Sequence, residues 1–146
     1  MEMEKEIRLT DGVVSLEPYR ISDIDRLYQA VRESVTEMSP WMSWCHADYS
    51  IEESRAWVES RAEARKKSTE YDFVITDAKD GSFLGGCGLN HIGQANQIAN
   101  LGYWVRTSRT KRGVASATVR LLAQFGLGKL KLNRIEIMAA VGNKAS

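Results

Sequence analysis

The chain has 146 residues, of which 43% are hydrophobic and 27% are charged, which is enough apolar content for a domain with a buried core. Its net charge of +1 excludes a long-range field for nucleic acid or an anionic membrane, so we expect neither as a partner. No apolar run approaches the length of a membrane span, and the polar N-terminus does not look like a secretory signal. These features predict a cytoplasmic protein in which Cys45 and Cys87 are free thiols.

The sequence contains no repeat, low-complexity tract or linker, which predicts a single domain over residues 1–146. Its first predicted element is a strand, Val13–Pro18, because the residues alternate and the start is β-branched. The segment SDIDRLYQAVRESVTEM then places apolar residues at helical spacing, with Ser22 and Asp25 as a capping pair. A first helix is therefore predicted to end before Pro40.

An aromatic connector, SPWMSWCHADYS, separates this helix from a second one. The second helix is predicted to begin after Ser50, where Glu53 completes an S-x-x-E capping box, and to continue to about Lys67. The pattern then changes to strands: Tyr71–Asp77 and Phe83–Ile92 are predicted to form a hairpin around the turn AKDGS. The second of these strands contains GGCG, which indicates a bulge or a close backbone approach.

A third strand, Ile98–Arg106, a helix over residues 113–127 and a last strand, Asn133–Val141, complete the predicted elements. The order is β-α-α-β-β-β-α-β, which is an antiparallel meander followed by a crossover helix and a further strand. This order predicts an α/β (α+β) fold, with a mixed, mostly antiparallel sheet flanked by helices.

Positive charge is concentrated where the third strand meets the last helix. Arg106, Arg109, Lys111 and Arg112 lie directly before Gly113, at which the helical pattern starts. The first N–H groups of a helix have no intrahelical partner and the helix dipole adds positive potential, so this junction is a candidate phosphate site. The alternative is a solvated basic loop in which the glycine serves only the turn. Neither a phosphate-loop string nor a dinucleotide fingerprint is present.

The segment LGYWVRTSRTKRGVASATVRLL resembles motif A of the GNAT N-acetyltransferase superfamily, in which Q/R-x-x-G-x-G/A opens a helix after a splayed strand. FLGGCGLNHI before it and NRIEIMAAVGNKAS after it resemble the flanking strands of that family. The opening LEPYRISDIDRLYQAV is similar to the RimJ/RimL branch, the ribosomal-protein alanine N-acetyltransferases and their relatives. The resemblance covers nearly the whole chain from about Val13.

The resemblance implies acetyl-coenzyme A as cosubstrate. The backbone of Trp104, Val105 and Arg106 would pair with the pantetheine arm like a partial added strand. Asn143 matches the N-x-x-S of the family, in which the Asn contacts the cofactor. The amides at the helix start would hold the pyrophosphate, helped by flanking cations; the residues involved are Arg109, Lys111, Arg112, Gly113, Val114, Ala115 and Ser116.

The sequence departs from the family pattern in two places. Thr110 stands where the motif has its first Gln or Arg, but an amide cradle does not depend on that side chain. After Ser146 the family continues with a helix and at least one more strand, which complete the sheet and supply the group that protonates the leaving thiolate. We therefore expect a C-terminally truncated chain, or a second chain, as in a homodimer, that covers the strand edge.

Acetyl transfer from a thioester requires a neutral amine, a polarised carbonyl and a stabilised or protonated thiolate. A backbone N–H in the strand over residues 101–106 would polarise the carbonyl. His91 has a suitable unperturbed pKa for a base, and its alternative is a structural or surface role. Asn90 would orient a water or the amine, because its position resembles a substrate-side residue of this branch. Asn100 stands where many relatives carry Glu, which favours a water relay or an acceptor that arrives neutral.

For the acceptor, Trp41 and Trp44 in the connector would line a groove together with Tyr49, or these rings form a hydrophobic lid on the sheet. The cysteines and histidines fit no zinc pattern, so no metal is expected.

Three functions stay open at this point. The first is an N-acetyltransferase that moves an acetyl group from acetyl-coenzyme A to a primary amine, either a protein N-terminus such as that of a ribosomal protein or a small amine. The second is a non-catalytic coenzyme A-binding or regulatory domain. The third is a ribosome- or RNA-binding module that uses the basic loop, for which a net charge of +1 is weak support.

Overall fold

The structure is a computed structural model that describes residues 8–40, 42, 44–67, 70–93, 96–106 and 113–137, and only the backbone of His91. The strands are β1 (Leu9–Thr10), β2 (Val14–Pro18), β3 (Tyr71–Asp77), β4 (Phe83–Gly93), β5 (Ile98–Val105) and β6 (Arg134–Ile137). The helices are α1 (Ile24–Met38), α2 (Ile51–Lys66) and α3 (Val114–Gln124), with a 3-10 turn at Ile21–Asp23 and a π turn at Phe125–Lys129. Within these ranges, no helix combines the length and the apolar character needed to cross a membrane.

The strands form one sheet in the sequential order β1-β2-β3-β4-β5-β6. Neighbours are antiparallel except β5 and β6, which run parallel because α3 crosses from one to the other. The predicted meander with a helical crossover is therefore confirmed, and the last predicted strand is confirmed over Arg134–Ile137. The added element is β1, whose two residues pair with Leu16 and Ser15. A strand of two residues has no alternation, so the sequence pattern does not reveal it.

The two predicted helix starts have different outcomes. The Ser50 N–H donates to Glu53 Oε2 at 3.2 Å, so the predicted capping box is present and α2 begins directly after Ser50. The pairing of Ser22 with Asp25 was wrong, since Arg20 N–H instead donates to Asp23 Oδ2 at 2.8 Å. The spacing of three residues is kept, but it starts two residues earlier because the helix opens with a 3-10 turn at Ile21.

The sheet carries one hydrophobic core on each face. Alternation along β3 explains the division, because Phe73 and Ile75 face α3 while Val74 faces α1 and α2. The buried apolar residues of α3 are the predicted positions Val114, Ala117, Leu121 and Leu122, followed by Phe125 in the π turn. Cys45 and Cys87 are buried free thiols, as predicted.

Candidate active site

A cavity of about 390 Å³ lies between the sheet and the layer formed by α1, α2 and the aromatic connector. Strands β3, β4 and β5 form its floor. Its walls come from Leu27 of α1, from Glu53 and Trp57 of α2, and from Trp44 and Tyr49 of the connector. The cavity therefore joins walls from residues 19–57 to a floor from residues 72–104.

Glycines form the centre of the floor. Asp72, Gly88 and Gly102 face one another across β3, β4 and β5, and Val74, Gly86 and Trp104 form the neighbouring row. A Cβ on Gly88 would lie 2.5 Å from Asp72 Oδ1, whereas a Cβ on Gly102 would meet nothing within 4 Å. Gly88 is therefore covered by a side chain, and Gly102 leaves open floor above β5. The close approach indicated by GGCG is confirmed at Gly88.

Gly86 is covered in the same way, because a Cβ there would lie 2.5 Å from the Tyr19 hydroxyl and 2.7 Å from Trp104 Nε1. Burial raises the pKa of the Tyr19 phenol far above its usual value, so this hydroxyl stays protonated. Burial also raises the pKa of Cys87 well above the usual range, which fits a small core residue rather than a reactive thiol.

Aromatic rings form most of the wall surface. Trp44 packs edge to face against Trp104, with ring centroids 5.7 Å apart, and against Tyr49 at 6.4 Å. Tyr19 packs against Trp57 at 6.2 Å. Trp44 thus lines the cavity, and its contact with an acceptor stays a prediction, while Tyr49 is buried in the core under the connector. Trp41 lies outside the described residues.

A partly buried ion cluster adjoins the floor. Arg61 donates to Asp72 Oδ2 at 2.6 Å and also to Glu70, and its guanidinium carbon lies 3.8 Å from the centroid of the Trp57 ring. Burial raises the pKa of Asp72 to about 6, against the opposite effect of Arg61. Burial acts to lower the pKa of Arg61, but its hydrogen bonds to Glu70 and Asp72 outweigh that effect and raise it. The cluster holds one carboxylate, Asp72, at the cavity.

The predicted phosphate site lies at the start of α3. Gly113 has a φ of +76°, which favours glycine, and Ala117 N–H donates to Gly113 O at 3.1 Å. Because this is the first helical bond, the N–H groups of Gly113, Val114, Ala115 and Ser116 lie before the intrahelical ladder. Nothing lies within 4 Å of a Cβ on Gly113, so the approach to these amides is open on that side. Arg109, Lys111, Arg112 and Asn143 lie outside the described residues.

The edge of β5 that faces away from β4 differs from the prediction at two residues, Trp104 and Arg106. Arg106 N–H donates to Leu84 O at 2.8 Å, so it faces β4 and is not free for a pantetheine arm. Because backbone groups alternate along a strand, Trp104 also faces β4, while Tyr103 and Val105 face the other edge. The pairing groups on that edge are therefore those of Tyr103 and Val105, and the sequence missed Tyr103.

The Arg106 side chain also forms hydrogen bonds within the chain. Its guanidinium contacts Glu33 at 2.7 Å and 3.3 Å and donates to Phe83 O at 3.1 Å. This pairing ties the end of β5 to α1. It removes one of the four cations that the sequence offered for an anion.

Of the two catalytic candidates, Asn90 lines the cavity and faces Asn100 across β4 and β5. His91 belongs to β4, and its side chain lies outside the described part of the structure. Among the described residues, no three His, Cys, Asp or Glu side chains come together as a metal site. The sequence missed Asp72, although a carboxylate directly before the apolar run of the strand YDFVITD was a readable signal.

The structure combines a mixed sheet with a helical crossover, an open helix start at Gly113 and a cavity over the centre of the sheet. The sequence profile of the acetyltransferase (GNAT) domain matches residues 14–146, and the chain belongs to this family of enzymes.

Relatives support the RimJ/RimL branch. The chain is 25% identical to the ribosomal-protein-serine acetyltransferase of Escherichia coli (strain K12) over 134 residues, 90% of this chain and 74% of that protein. It is 27% identical over 132 residues to YdaF of Bacillus subtilis (strain 168), provisionally named a ribosomal N-acetyltransferase; the match covers 90% of this chain and 69% of YdaF. YjcK of the same organism, provisionally named an N-acetyltransferase, is 33% identical over 89 residues, 60% of this chain and about half, 49%, of YjcK.

Solved structures share the fold. RimL, the ribosomal L7/L12 α-N-protein acetyltransferase, in complex with coenzyme A, superposes with a TM-score of 0.87 at 21% identity, over 95% of this chain and 78% of RimL. RimJ of Mycobacterium smegmatis in complex with a coenzyme A disulfide gives a TM-score of 0.81 at 24% identity, over 97% of this chain and 69% of RimJ. The likeness confirms the predicted fold class.

Proposed function

We propose that the chain, acting as one domain over residues 1–146, transfers an acetyl group from acetyl-coenzyme A to a primary amine. The acceptor is the N-terminus of a protein, such as a ribosomal protein, or a small amine. The observation that carries the proposal is the arrangement around β5. Its inner face floors the cavity at Gly102, and the chain that leaves it reaches the open amides at Gly113.

In this proposal the start of α3 holds the pyrophosphate of acetyl-coenzyme A through the N–H groups of residues 113–116. The backbone of Tyr103 and Val105 pairs with the pantetheine arm, since their polar groups face away from β4. An N–H on that edge polarises the thioester carbonyl. The neutral amine attacks the carbonyl carbon, the carbon–sulfur bond breaks, and the proton lost by the nitrogen passes through water to the leaving thiolate, so that the products are an N-acetyl amide and the free thiol of coenzyme A.

The acceptor occupies the cavity, whose floor at Gly102 brings it next to β5. Asn90 lines the same cavity and orients the amine or a water through its side-chain amide. The RNA-binding alternative loses support, because Arg106 is paired with Glu33 and is not part of a free basic patch. Turnover of acetyl-coenzyme A with an amine acceptor distinguishes the proposed enzyme from a non-catalytic coenzyme A-binding domain.

The test of the phosphate site uses Ser116→Glu. Ser116 is exposed at the third position of α3, where a Glu favours the helix dipole, so the variant is expected to fold normally. Its carboxylate repels the pyrophosphate, and calorimetric affinity for acetyl-coenzyme A is expected to fall about tenfold or more. The control, Gln124→Glu, adds the same charge at the other end of α3 and is expected to leave the affinity unchanged.

Equal affinity in wild type and Ser116→Glu refutes the phosphate site. Binding to the wild type without acetyl transfer to any amine, assayed by release of free thiol with a panel of peptides and small amines, refutes the enzyme function and leaves a coenzyme A-binding domain.

A further inference from the structure

The cavity combines negative charge with aromatic surface. Among the described residues that line it, the charged ones are Glu53 and Asp72, and both are acidic. Carboxylates next to aromatic faces favour an ammonium group, through charge-assisted hydrogen bonds and cation–π attraction. The same lining repels an acceptor that carries a carboxylate or phosphate close to its amine.

Asp72 is placed to meet an amine next to β5. It lies in one row with Gly88 and Gly102, and neighbouring strands are ~4.8 Å apart. Its Oδ1 leans over Gly88, 2.5 Å from the position of a Cβ there, and the floor above Gly102 is open. A nitrogen at a hydrogen-bond distance of ~2.9 Å from Oδ1 therefore lies over the glycine floor, beside β5.

Arg61 holds Asp72 in this position. It donates to Oδ2 at 2.6 Å, which leaves Oδ1 as the oxygen on the side of Gly88 and the cavity. Its guanidinium is fixed in turn by Glu70 and by the face of Trp57. Because Asp72 shares its charge with Arg61, it holds an ammonium less tightly than an unpaired carboxylate would, so the bound group can still lose a proton to solvent.

We propose that Asp72 is the acceptor-binding residue of this site and that Oδ1 accepts a hydrogen bond from the ammonium group of a primary amine. The apolar part of the acceptor lies against Trp44 and Tyr49. The inference rests on the proposed N-acetyltransferase function, whose acceptor class it narrows to amines without a neighbouring anion. An amide-linked N-terminal residue or an arylalkylamine meets this condition, and a free amino acid does not.

The test measures binding without turnover. Quenching of tryptophan fluorescence reports the cavity, because Trp44, Trp57 and Trp104 line it. The probes are benzylamine and its neutral isostere benzyl alcohol. A charge-assisted hydrogen bond predicts that the wild type binds benzylamine about tenfold more tightly than the alcohol. In Asp72→Asn the two affinities are expected to agree within about twofold, since the lost charge is the source of the difference.

The matched control is Glu70→Gln, which removes a negative charge from the same Arg61 cluster, does not line the cavity, and keeps a side-chain carbonyl oxygen that still accepts the hydrogen bond from Arg61. It is expected to keep the preference for benzylamine. A preference retained in Asp72→Asn, or lost equally in both variants, overturns the proposal.

A measurement on the wild type alone covers the case in which Asp72→Asn does not fold. Phenylalanine amide is expected to bind, while phenylalanine, with its carboxylate next to the amine, is expected to bind at least about tenfold more weakly. Equal binding of the two overturns the proposal. Calorimetry with acetyl-coenzyme A on the wild type and the folded variants separates failure of the proposed N-acetyltransferase function from failure of the proposed role of Asp72. Absence of cosubstrate binding by the wild type refutes the proposed function, whereas a lost amine preference with normal cosubstrate binding refutes only the role of Asp72.

Discussion

Two glycines of the cavity floor are expected to respond in opposite ways to the same added methyl group. In Gly88→Ala the Cβ would lie 2.7 Å from Tyr71 O and 3.2 Å from the Cα of Asp72, and these backbone atoms move only if β3 moves. Overpacking of this kind costs about 1–3 kcal/mol. In Gly102→Ala the Cβ meets nothing within 4 Å, so the gain in strand stability over glycine, about 0.5–1 kcal/mol, is expected to appear in full.

The free energy of unfolding, measured by urea titration, should therefore differ by about 1.5–4 kcal/mol between the two variants, with wild type between them. Gly102→Ala is at the same time expected to raise the KM for an amine acceptor about tenfold or more, because its methyl occupies the floor next to β5. A loss of stability in Gly102→Ala comparable to that in Gly88→Ala refutes the open floor. Higher stability with an unchanged KM refutes the acceptor path over Gly102.

Two further outcomes concern buried polar groups. Thr118 is fully buried and its hydroxyl has no hydrogen-bond partner in the described structure, so the isosteric Thr118→Val is expected to raise the free energy of unfolding by about 1 kcal/mol; lower stability in urea titration contradicts this. Burial raises the pKa of Asp72 to about 6 from an ordinary 3.8, so between these values the folded chain binds the proton more tightly than the unfolded chain. The tighter proton binding stabilises the folded chain by up to about 3 kcal/mol below pH ~4, and this stabilisation is lost as the pH rises through ~6. Urea titrations from pH 4.5 to 7.5 should show it in wild type and not in Asp72→Asn, and parallel profiles of the two contradict it.

Most of the fold could be predicted because most elements satisfy a local rule. The strand Tyr71–Asp77 and the helix from Ser50 have strong alternation or capping signals, and the structure keeps their limits within a residue or two. The first helix start was misjudged because the pair that forms, Arg20 with Asp23, does not begin with one of the residue types that signal an N-cap. It depends on the 3-10 turn that joins β2 to α1, and no local pattern encodes that turn.

The site was predictable only where it is built from backbone. An open helix start and a glycine floor leave a local trace, in RGVAS and in GGCG, because glycine conformation and helix ends are sequence-local properties. Asp72 left a weaker trace, since its meaning depends on Arg61, which lies eleven residues earlier on another element. Likewise Arg106 looked like a free cation until the fold brought Glu33, 73 residues away, against it.

The cavity exists because side chains are missing from one face of two strands, and not because the layers stand apart. On the α3 face of β4, Cys87 and Leu89 fill the core, while on the opposite face the same strand carries Gly86 and Gly88. Helices α1 and α2 can then pack tightly at the flanks, against Val74 and Trp104, and still leave a trough in the middle. Tyr19, Trp104 and Asp72 use the space over two of the glycines, so the room left for an acceptor is set by Gly102. In the proposed function, acceptor size is therefore controlled from β5, next to the proposed position of the thioester, and acceptor charge from β3.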